Sequence, residues 1–376
     1  MAGIYIHIPF CKKRCHYCDF YSVVNLSYID SYFEAIIKEL YVRRSFFNKK
    51  NVDSIYIGGG TPSIVPLKKI SDLLENIKNY YFISDSSEIT IEVNPEDTSV
   101  EYYKDLKKVG INRLSIGVQS FDDEFLKFLN RRNDGKKSIE SIENAIEAGF
   151  ENINIDLIYG IPGCTNDKWI DTLNKAFSLP VKHLSAYHLS IEPNTTFGIM
   201  MEKGSFSPIN EEDSWIQFLT LHELAKEYIF EHYEISNLSK AGFRSKHNYG
   251  YWKDNIYLGI GASAHSYDGE KRILNISKID KYISNLLNED FISQEIDKLT
   301  EKDKINEFIM TSLRCKEGIN IADFIGKFGQ ENLNMLEVKI KKYIPTGYVV
   351  IDKNDIRLTL KGWFISDTII SELFYD

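Results

Sequence analysis

Short segments rich in β-branched residues alternate with longer amphipathic segments over the first half of the chain. The short segments have the length of strands, and in the longer ones apolar residues recur at the three- and four-residue intervals of a helix. Strands that alternate with helices in this way pair in parallel, and the helices cover the sheet. The predicted strands are residues 4–8, 54–57, 87–94, 113–119, 152–159 and 184–191, with helices such as 29–47, 67–79 and 136–148 between them.

Six strand-helix units are fewer than the eight of a closed barrel. The fold class that we predict is therefore α/β, an open, partial (β/α)6 TIM-like barrel. Each predicted strand also runs into chemically active or Gly-rich residues, and in such barrels the active site forms at the carboxyl ends of the strands. These residues are Cys11, the turn from Gly58 to Thr61, Glu92, Asn94, Gln119, Asp156 and Glu192.

The regular alternation stops after about residue 193, and the rest of the chain follows two other patterns. We predict a barrel domain over residues 1–210, a connecting region over 211–290 and a C-terminal α+β domain over 291–376. The C-terminal domain has the element order of a winged helix. Its predicted elements are helices up to 314 and over 321–342, and strands at 348–351 and 356–360 joined by a turn at 353–355. In the connecting region we predict a helix at 211–231.

A winged helix raises the alternative of DNA binding. Residues 291–376 carry 12 Lys and Arg against 14 Asp and Glu, and the whole chain has a net charge of -9. A protein that binds phosphate backbones needs a concentration of positive charge. The charge therefore disfavours a nucleic-acid partner.

The cysteines indicate a metal. We expect no signal peptide, because residues 1–10 lack a basic segment and run directly into Cys11, and no run reaches the roughly 18 to 20 apolar residues of a membrane span. We therefore expect a cytoplasmic protein, in a compartment that disfavours disulfides. Three of the five cysteines nevertheless fall within eight positions. Such clustering is typical of metal ligands.

Cys11, Cys15 and Cys18 form the pattern C-x3-C-x2-C. Three thiolates on a [4Fe-4S] cluster leave one iron with an open coordination position, which a substrate or cofactor can occupy. Zinc is the alternative, with His7 or His16 as a fourth ligand, although a second cysteine knuckle is missing. The isolated Cys164 and Cys315 are interpreted as small core residues.

This motif, and the segments that follow it, resemble a known family. The chain is similar to the radical S-adenosylmethionine (SAM) superfamily, and to its branch with the oxygen-independent coproporphyrinogen oxidases and the HemW haem chaperones. The resemblance covers nearly the whole chain. It is carried by residues 5–20, 58–63, 91–95, 113–131, 154–162 and 233–267.

The resemblance implies a SAM site beside the cluster, where the open iron binds the methionine end of SAM. Arg131 would offer a planar fork to the methionine carboxylate, and Asp156 and Gln119 would bond the ribose hydroxyls. Tyr5 would pack against the sulfonium. The predicted SAM residues are Tyr5, Gly59, Gly60, Thr61, Glu92, Gln119, Arg131 and Asp156.

Two features within this branch favour the HemW group over the oxidases. The oxidase pattern continues to a fourth cysteine one residue after the third, and a substantial extension precedes the barrel. Here Cys18 is followed by Asp19, and we expect no such extension, since the chain starts four residues before Tyr5. No catalytic residue for decarboxylation is predicted.

The segment from His247 to Trp252 reads His-Asn-Tyr-Gly-Tyr-Trp and matches the H-N-x-x-Y-W motif of HemW proteins. The resemblance implies that it binds haem. A histidine imidazole is a common axial ligand of haem iron, and Tyr251 and Trp252 would pack on the macrocycle.

The predicted function is that of a cytoplasmic haem chaperone in porphyrin metabolism, with a [4Fe-4S] cluster and SAM as cofactors and haem as cargo. Its expected partners are unidentified haem acceptors, and a peripheral contact with membrane-bound acceptors stays open. Two alternatives are kept: an oxygen-independent coproporphyrinogen III oxidase, and a radical SAM methyltransferase or haem-degrading relative.

Overall fold

The computed structural model describes residues 1–289 and 292–375. The six predicted barrel strands are all present and pair in parallel in chain order. They are β1 (Ala2–Ile8), β2 (Val52–Gly59), β3 (Ile83–Val93), β4 (Arg113–Gln119), β5 (Asn152–Tyr159) and β6 (His183–His188). The predicted α/β partial barrel is therefore confirmed.

Helices connect these strands, as predicted. They are α1 (Ile29–Val42), α2 (Leu67–Tyr80), α3 (Val100–Lys108), α4 (Asp123–Phe128), α5 (Gly135–Glu147), α6 (Asn166–Ser178) and, after β6, α7 (Thr196–Glu202). Helix α1 ends at Val42 and not near residue 47. Its C-cap residue Arg43 turns inward instead, where its guanidinium donates to Glu39 and to the Gly259 carbonyl.

The two sides of a barrel strand differ in polarity because successive side chains point to opposite faces of a sheet. In β1, Ile4, Ile6 and Ile8 are fully buried in the apolar core. Tyr5 and His7 alternate with them on the other face and bond to each other. Isoleucine thus fixes which face of the strand meets the helices, and polar residues are left for the barrel interior.

The sheet continues beyond both ends of the barrel. In the described residues it has 12 strands, in the order β12-β11-β10-β9-β1-β2-β3-β4-β5-β6-β8-β7. The added strands and helices are β7 (Glu231–Glu234), β8 (Asn237–Ser239), β9 (Ile256–Ile260), β10 (His265–Tyr267), β11 (Lys271–Asn275), β12 (Gln294–Lys298), α8 (Glu211–Glu227), α9 (Lys246–Trp252) and α10 (Ile279–Leu287). The sequence analysis did not predict these strands, and its helix over 211–231 ends at Glu227.

The C-terminal part has the predicted winged-helix-like character. A three-stranded antiparallel sheet in the order β13-β15-β14 packs with helices. The single helix predicted over 321–342 is two helices, because Gly329 between them has φ 86°. The elements are α11 (Glu301–Leu313), β13 (Ile319–Asn320), α12 (Ile321–Phe328), α13 (Gln330–Ile340), β14 (Val349–Ile351), β15 (Asp355–Leu358), α14 (Leu360–Phe364) and α15 (Ser366–Leu373).

The domain limits stay a prediction. Strands on both sides of residue 210 belong to one sheet, and the limit between residues 290 and 291 lies outside the described residues. Among the described residues, no helix has the combined length and apolar character that a membrane crossing needs.

Candidate functional site

A cavity of about 1060 Å³ opens at the carboxyl ends of the barrel strands. Cys11, Cys15 and Cys18 line it, and none of them is in a disulfide. Most of the other predicted site residues line the same cavity, since parallel strands bring their carboxyl ends to one edge. These are Gly59, Gly60, Thr61, Glu92, Gln119, Arg131 and Asp156.

Two of the three cysteine sulfurs accept hydrogen bonds from side chains in the cavity wall. Cys11 Sγ accepts a hydrogen bond from Thr61 Oγ1 at 3.5 Å, and Cys15 Sγ accepts one from Arg131 Nη1 at 3.7 Å. Burial raises the pKa of Cys11 and raises the pKa of Cys18 to about 11. Hydrogen-bond donors beside a sulfur stabilise the negative charge that metal coordination requires. Three thiols on one cavity wall therefore have the chemistry of thiolate ligands.

The Gly-rich turn after β2 packs against the cysteine loop without room for side chains. A Cβ atom on Gly60 would lie 2.7 Å from the Phe10 carbonyl oxygen and 3.0 Å from Cys11 Sγ. Gly59 has φ 115°, which L side chains rarely adopt. The turn thus keeps its backbone next to the cysteines, where an amide can approach a small molecule.

Glu92 lies half-buried under this turn. Its carboxylate accepts from Tyr56 Oη at 2.8 Å and from the Gly59 amide at 2.9 Å. Burial, which dominates, and the negative charge of Asp156 raise the pKa of Glu92 to about 7. The group is therefore divided between its ionised and neutral forms near neutral pH.

Arg131 is held by protein acceptors on three sides. Its Nη2 donates to Asn94 Oδ1 at 2.9 Å and to the Gly117 carbonyl at 2.6 Å, and its Nε donates to Asn133 Oδ1 at 3.1 Å. With the bond to Cys15, four of the five N–H groups of the guanidinium are in use. One N–H is left for a ligand, so the planar two-point contact expected from the sequence is not available.

Asp156 and Gln119 lie on neighbouring strands. Asp156 accepts from Asn154 Nδ2 at 2.8 Å and from Ser115 Oγ at 3.2 Å, and burial raises its pKa. Gln119 follows a register shift between β4 and β5 and has φ 68°. A non-glycine residue in this conformation is strained, and such strain is concentrated at functional sites.

Tyr5 is the one predicted SAM residue that does not line the cavity. Its hydroxyl bonds His7 Nδ1 at 2.9 Å, and its ring lies beside Tyr56 and His247 in the barrel interior. The resemblance implies that Tyr5 packs against the SAM sulfonium, and this contact stays a prediction. The position of Tyr5 lower in the barrel depends on the strand register.

The His247 motif lies at the opposite end of the barrel. His247 is 4% exposed, and its Nδ1 bonds Ser54 Oγ at 2.9 Å near the start of β2. Its Nε2 bonds Tyr251 Oη at 2.8 Å, and burial lowers its pKa to about 3. Trp252 lies apart and packs against Arg314. Both ring nitrogens of His247 are thus occupied within the protein.

A buried charge cluster beside this motif was missed by the sequence analysis. Glu88 accepts from the amides of Lys246 and His247, and Arg113 Nε lies 3.8 Å from Glu88. Within the described part of the chain the Arg113 guanidinium has no hydrogen-bond partner. The sequence shows only that Arg113 lies at the start of a strand. At such a position the sequence does not distinguish an arginine that faces the barrel interior from an exposed one.

Further cavity residues were also missed because they come from distant parts of the chain. Tyr17 lies between the cysteines, and Tyr187 and His188 are the last two residues of β6. Trp363 and Phe364 bring the C-terminal helices into the cavity wall. Only the tertiary structure brings these residues together.

Two family models match the chain. One, the radical SAM superfamily, matches residues 5–176, and the other, the HemN C-terminal domain, matches residues 299–365. The first match includes the cysteine loop and the cavity residues of β2 to β5. The partial barrel with three free cysteines at its carboxyl edge thus defines a protein of the radical SAM class.

Curated relatives named heme chaperone HemW align over almost their whole length. The Bacillus subtilis protein is 34% identical over 374 residues, which are 98% of this chain and 98% of the relative. The Escherichia coli protein is 31% identical over 380 residues, 99% of this chain and 97% of the relative. The chain belongs to the HemW family.

Among solved structures, coproporphyrinogen III oxidase (HemN) from Escherichia coli, described as a radical SAM enzyme, has a TM-score of 0.86. The likeness covers 99% of this chain and 90% of that one, at 22% sequence identity. At this identity it shows a shared fold and nothing about the reaction.

Proposed function

We propose that the protein is a cytoplasmic haem chaperone that holds a [4Fe-4S] cluster and SAM, binds haem and passes it to acceptor proteins. Membership of the HemW family supports the chaperone role. The observation that carries the cofactor part is the set of three free cysteines in one cavity, with hydrogen-bond donors on two of the sulfurs.

Cys11, Cys15 and Cys18 would ligate the cluster. When bound, such a cluster supplies one open iron and an electron to SAM. The task of this chain is then to orient SAM and to exclude water. The cavity walls from β2 to β6 and from the C-terminal helices enclose that space.

Different residues around the cavity would bind different parts of SAM. The Gly59 and Gly60 backbone would approach the methionine end, and Arg131 would give its one free N–H to the carboxylate. The ionised form of Glu92 would face the amino group. Asp156 and Gln119 would bond the ribose hydroxyls, since they lie on the strands beyond Glu92.

The haem ligand His247, with Tyr251 and Trp252, stays a prediction from the motif. In this structure Tyr251 occupies Nε2 of the ring, so His247 can ligate iron only after Tyr251 moves. The haem acceptors are proposed to be other proteins, including membrane-bound ones that the chain would contact peripherally.

One experiment tests the proposed function. Anaerobically reconstituted protein is titrated with haem, and the same sample is assayed for decarboxylation of coproporphyrinogen with reductant and SAM. We expect binding of about one haem per chain with a shifted Soret band, and no decarboxylation. Absence of haem binding would refute the chaperone role, and conversion to protoporphyrinogen would support the oxidase alternative.

A further inference from the structure

A second groove, of about 840 Å³, lies between the end of α8, the strand β7 and the C-terminal sheet. Its walls include His222, Ile229 and Lys316 on one side and Val350 and Arg357 on the other. Its volume is within the range of roughly 300 to 1,000 Å³ that is usual for small-molecule sites. Trp363 borders both this groove and the cofactor cavity.

The groove contains a histidine whose tautomer is fixed by its neighbours. His232 Nε2 lies 3.0 Å from the Ile235 carbonyl oxygen, which can only accept, so this nitrogen carries a hydrogen. Burial lowers the pKa of His232 to about 3, and a neutral ring has its lone pair on Nδ1. His232 Nδ1 lies 3.1 Å from His222 Nδ1. His222 must therefore donate from Nδ1.

This hydrogen-bond chain leaves the lone pair of His222 on Nε2. Among the described residues, no hydrogen bond engages that nitrogen. A metal-binding histidine commonly donates its other ring N–H to a neighbour, which fixes the ring and its tautomer. His222 has this arrangement, whereas both ring nitrogens of His247 are engaged.

Exposed apolar side chains form the wall beside His222. Ile229 is 80% exposed and has φ 58°, a conformation that is costly for a β-branched residue and usual for glycine just beyond a helix end. Val350, on the facing sheet, is 45% exposed. The strained φ and the exposure of Ile229 both cost free energy, and contact with an apolar ligand would offset that cost.

The rim of the groove carries three cations. Lys226 is one helical turn after His222, and Lys316 and Arg357 come from the other walls. Each pairs with a carboxylate at partly exposed positions, namely Glu223, Glu231 and Asp352. Such exposed pairs are weak, so their cations can exchange partners with the carboxylates of a ligand.

We propose that this groove binds haem, with His222 Nε2 as an axial ligand of the iron. The macrocycle would lie against Ile229 and Val350, and its two propionates would meet the rim cations. Haem is a planar, apolar molecule with two carboxylates and an iron that accepts axial ligands. The apolar wall, the rim cations and His222 Nε2 match these three properties. The inference rests on the proposed function, and it places the haem in this groove instead of at the His247 motif.

Haem titrations of the reconstituted full chain test this inference. His222→Ala should weaken haem binding roughly tenfold or more and shift the Soret band, since losing even an indirect partner of a metal ligand costs about tenfold to a hundredfold. Added imidazole should restore the spectrum of His222→Ala. The control is His265→Ala, at an exposed histidine outside the groove, which should bind haem like the parent.

Ile229→Gly separates binding from folding. Glycine relieves the strained φ, so this variant should melt at a higher temperature than the parent while binding haem more weakly. Parent-like affinity and spectrum in His222→Ala, or loss of haem in His247→Ala alone, would overturn the assignment and leave the chaperone role intact. Failure of the parent to bind haem would instead refute the proposed function.

Discussion

Replacement of Glu92 by Gln should change how the stability of the protein depends on pH. Burial raises the pKa of this carboxyl to about 7 in the folded protein, whereas an unfolded chain has a value of about 4.3. Between these values the folded state retains a proton that the unfolded state has released. The contribution of Glu92 to stability is therefore greatest below about pH 4, and it falls as the pH rises to about 7.

The size of the effect follows from the shift. At 1.36 kcal/mol for each pKa unit, the ionised carboxyl destabilises the folded state by roughly 4 kcal/mol relative to the neutral one. Glutamine does not ionise, so Glu92→Gln does not have this free-energy cost. Its oxygen can accept from the Gly59 amide, and its NH2 can donate to Tyr56 Oη, which rotates to accept.

Urea unfolding of the reduced, cluster-free protein between pH 5 and 8 measures this difference. The unfolding free energy of Glu92→Gln minus that of the parent should increase with pH up to about 7 and then stay constant. Glu34→Gln, on the exposed side of α1, controls for the loss of a surface carboxylate. A difference that stays flat over the whole range would refute the argument.

Three further predictions concern the cofactors. Anaerobic reconstitution should give about four irons and four sulfides per chain by chemical analysis, lost in Cys11→Ala and kept in Cys164→Ala; stoichiometric zinc would contradict this. Arg131→Ala and Asp156→Ala should each weaken SAM binding in calorimetry by about tenfold to a hundredfold, since one charge-assisted hydrogen bond contributes roughly 1.5 to 3 kcal/mol. Arg132→Ala, which removes a guanidinium that pairs with Glu96 and Asp97, is the matched control, and equal affinity in all three variants would refute the assigned contacts. Coproporphyrinogen should stay unchanged by chromatography with reductant and SAM present, and conversion to protoporphyrinogen would make the oxidase interpretation correct.

The local sequence pattern was sufficient to predict most of the barrel strands. The strands Arg113–Gln119 and Asn152–Tyr159 have the predicted bounds, because a run of β-branched residues between turn signals is a local property. The added strands of the large sheet, between residues 231 and 298, were missed. They are short and irregular, and their pairing with β1 and β6 stabilises them more than their own sequence does.

The candidate site was predictable where its residues follow strands. Cys11, Glu92 and Asp156 were found because parallel strands carry their carboxyl ends to one edge. The sequence did not predict where Tyr5 and His247 lie along the barrel axis. Their positions along the barrel axis depend on register and on how α9 packs under β1 and β2, and neither leaves a local pattern.

The sequence by itself determined the barrel strands, the cysteine motif and the family, because strand periodicity, ligand spacing and motif order are properties of neighbouring residues. Only the tertiary structure decided which side chains stay available to a ligand. His247 and His222 are both single histidines in sequence, yet in the described part of the chain His247 has both ring nitrogens engaged and His222 has hydrogen bonding at one of them only. That difference arises from partners 4 to 193 residues away along the chain, whose approach depends on the packing of the whole fold.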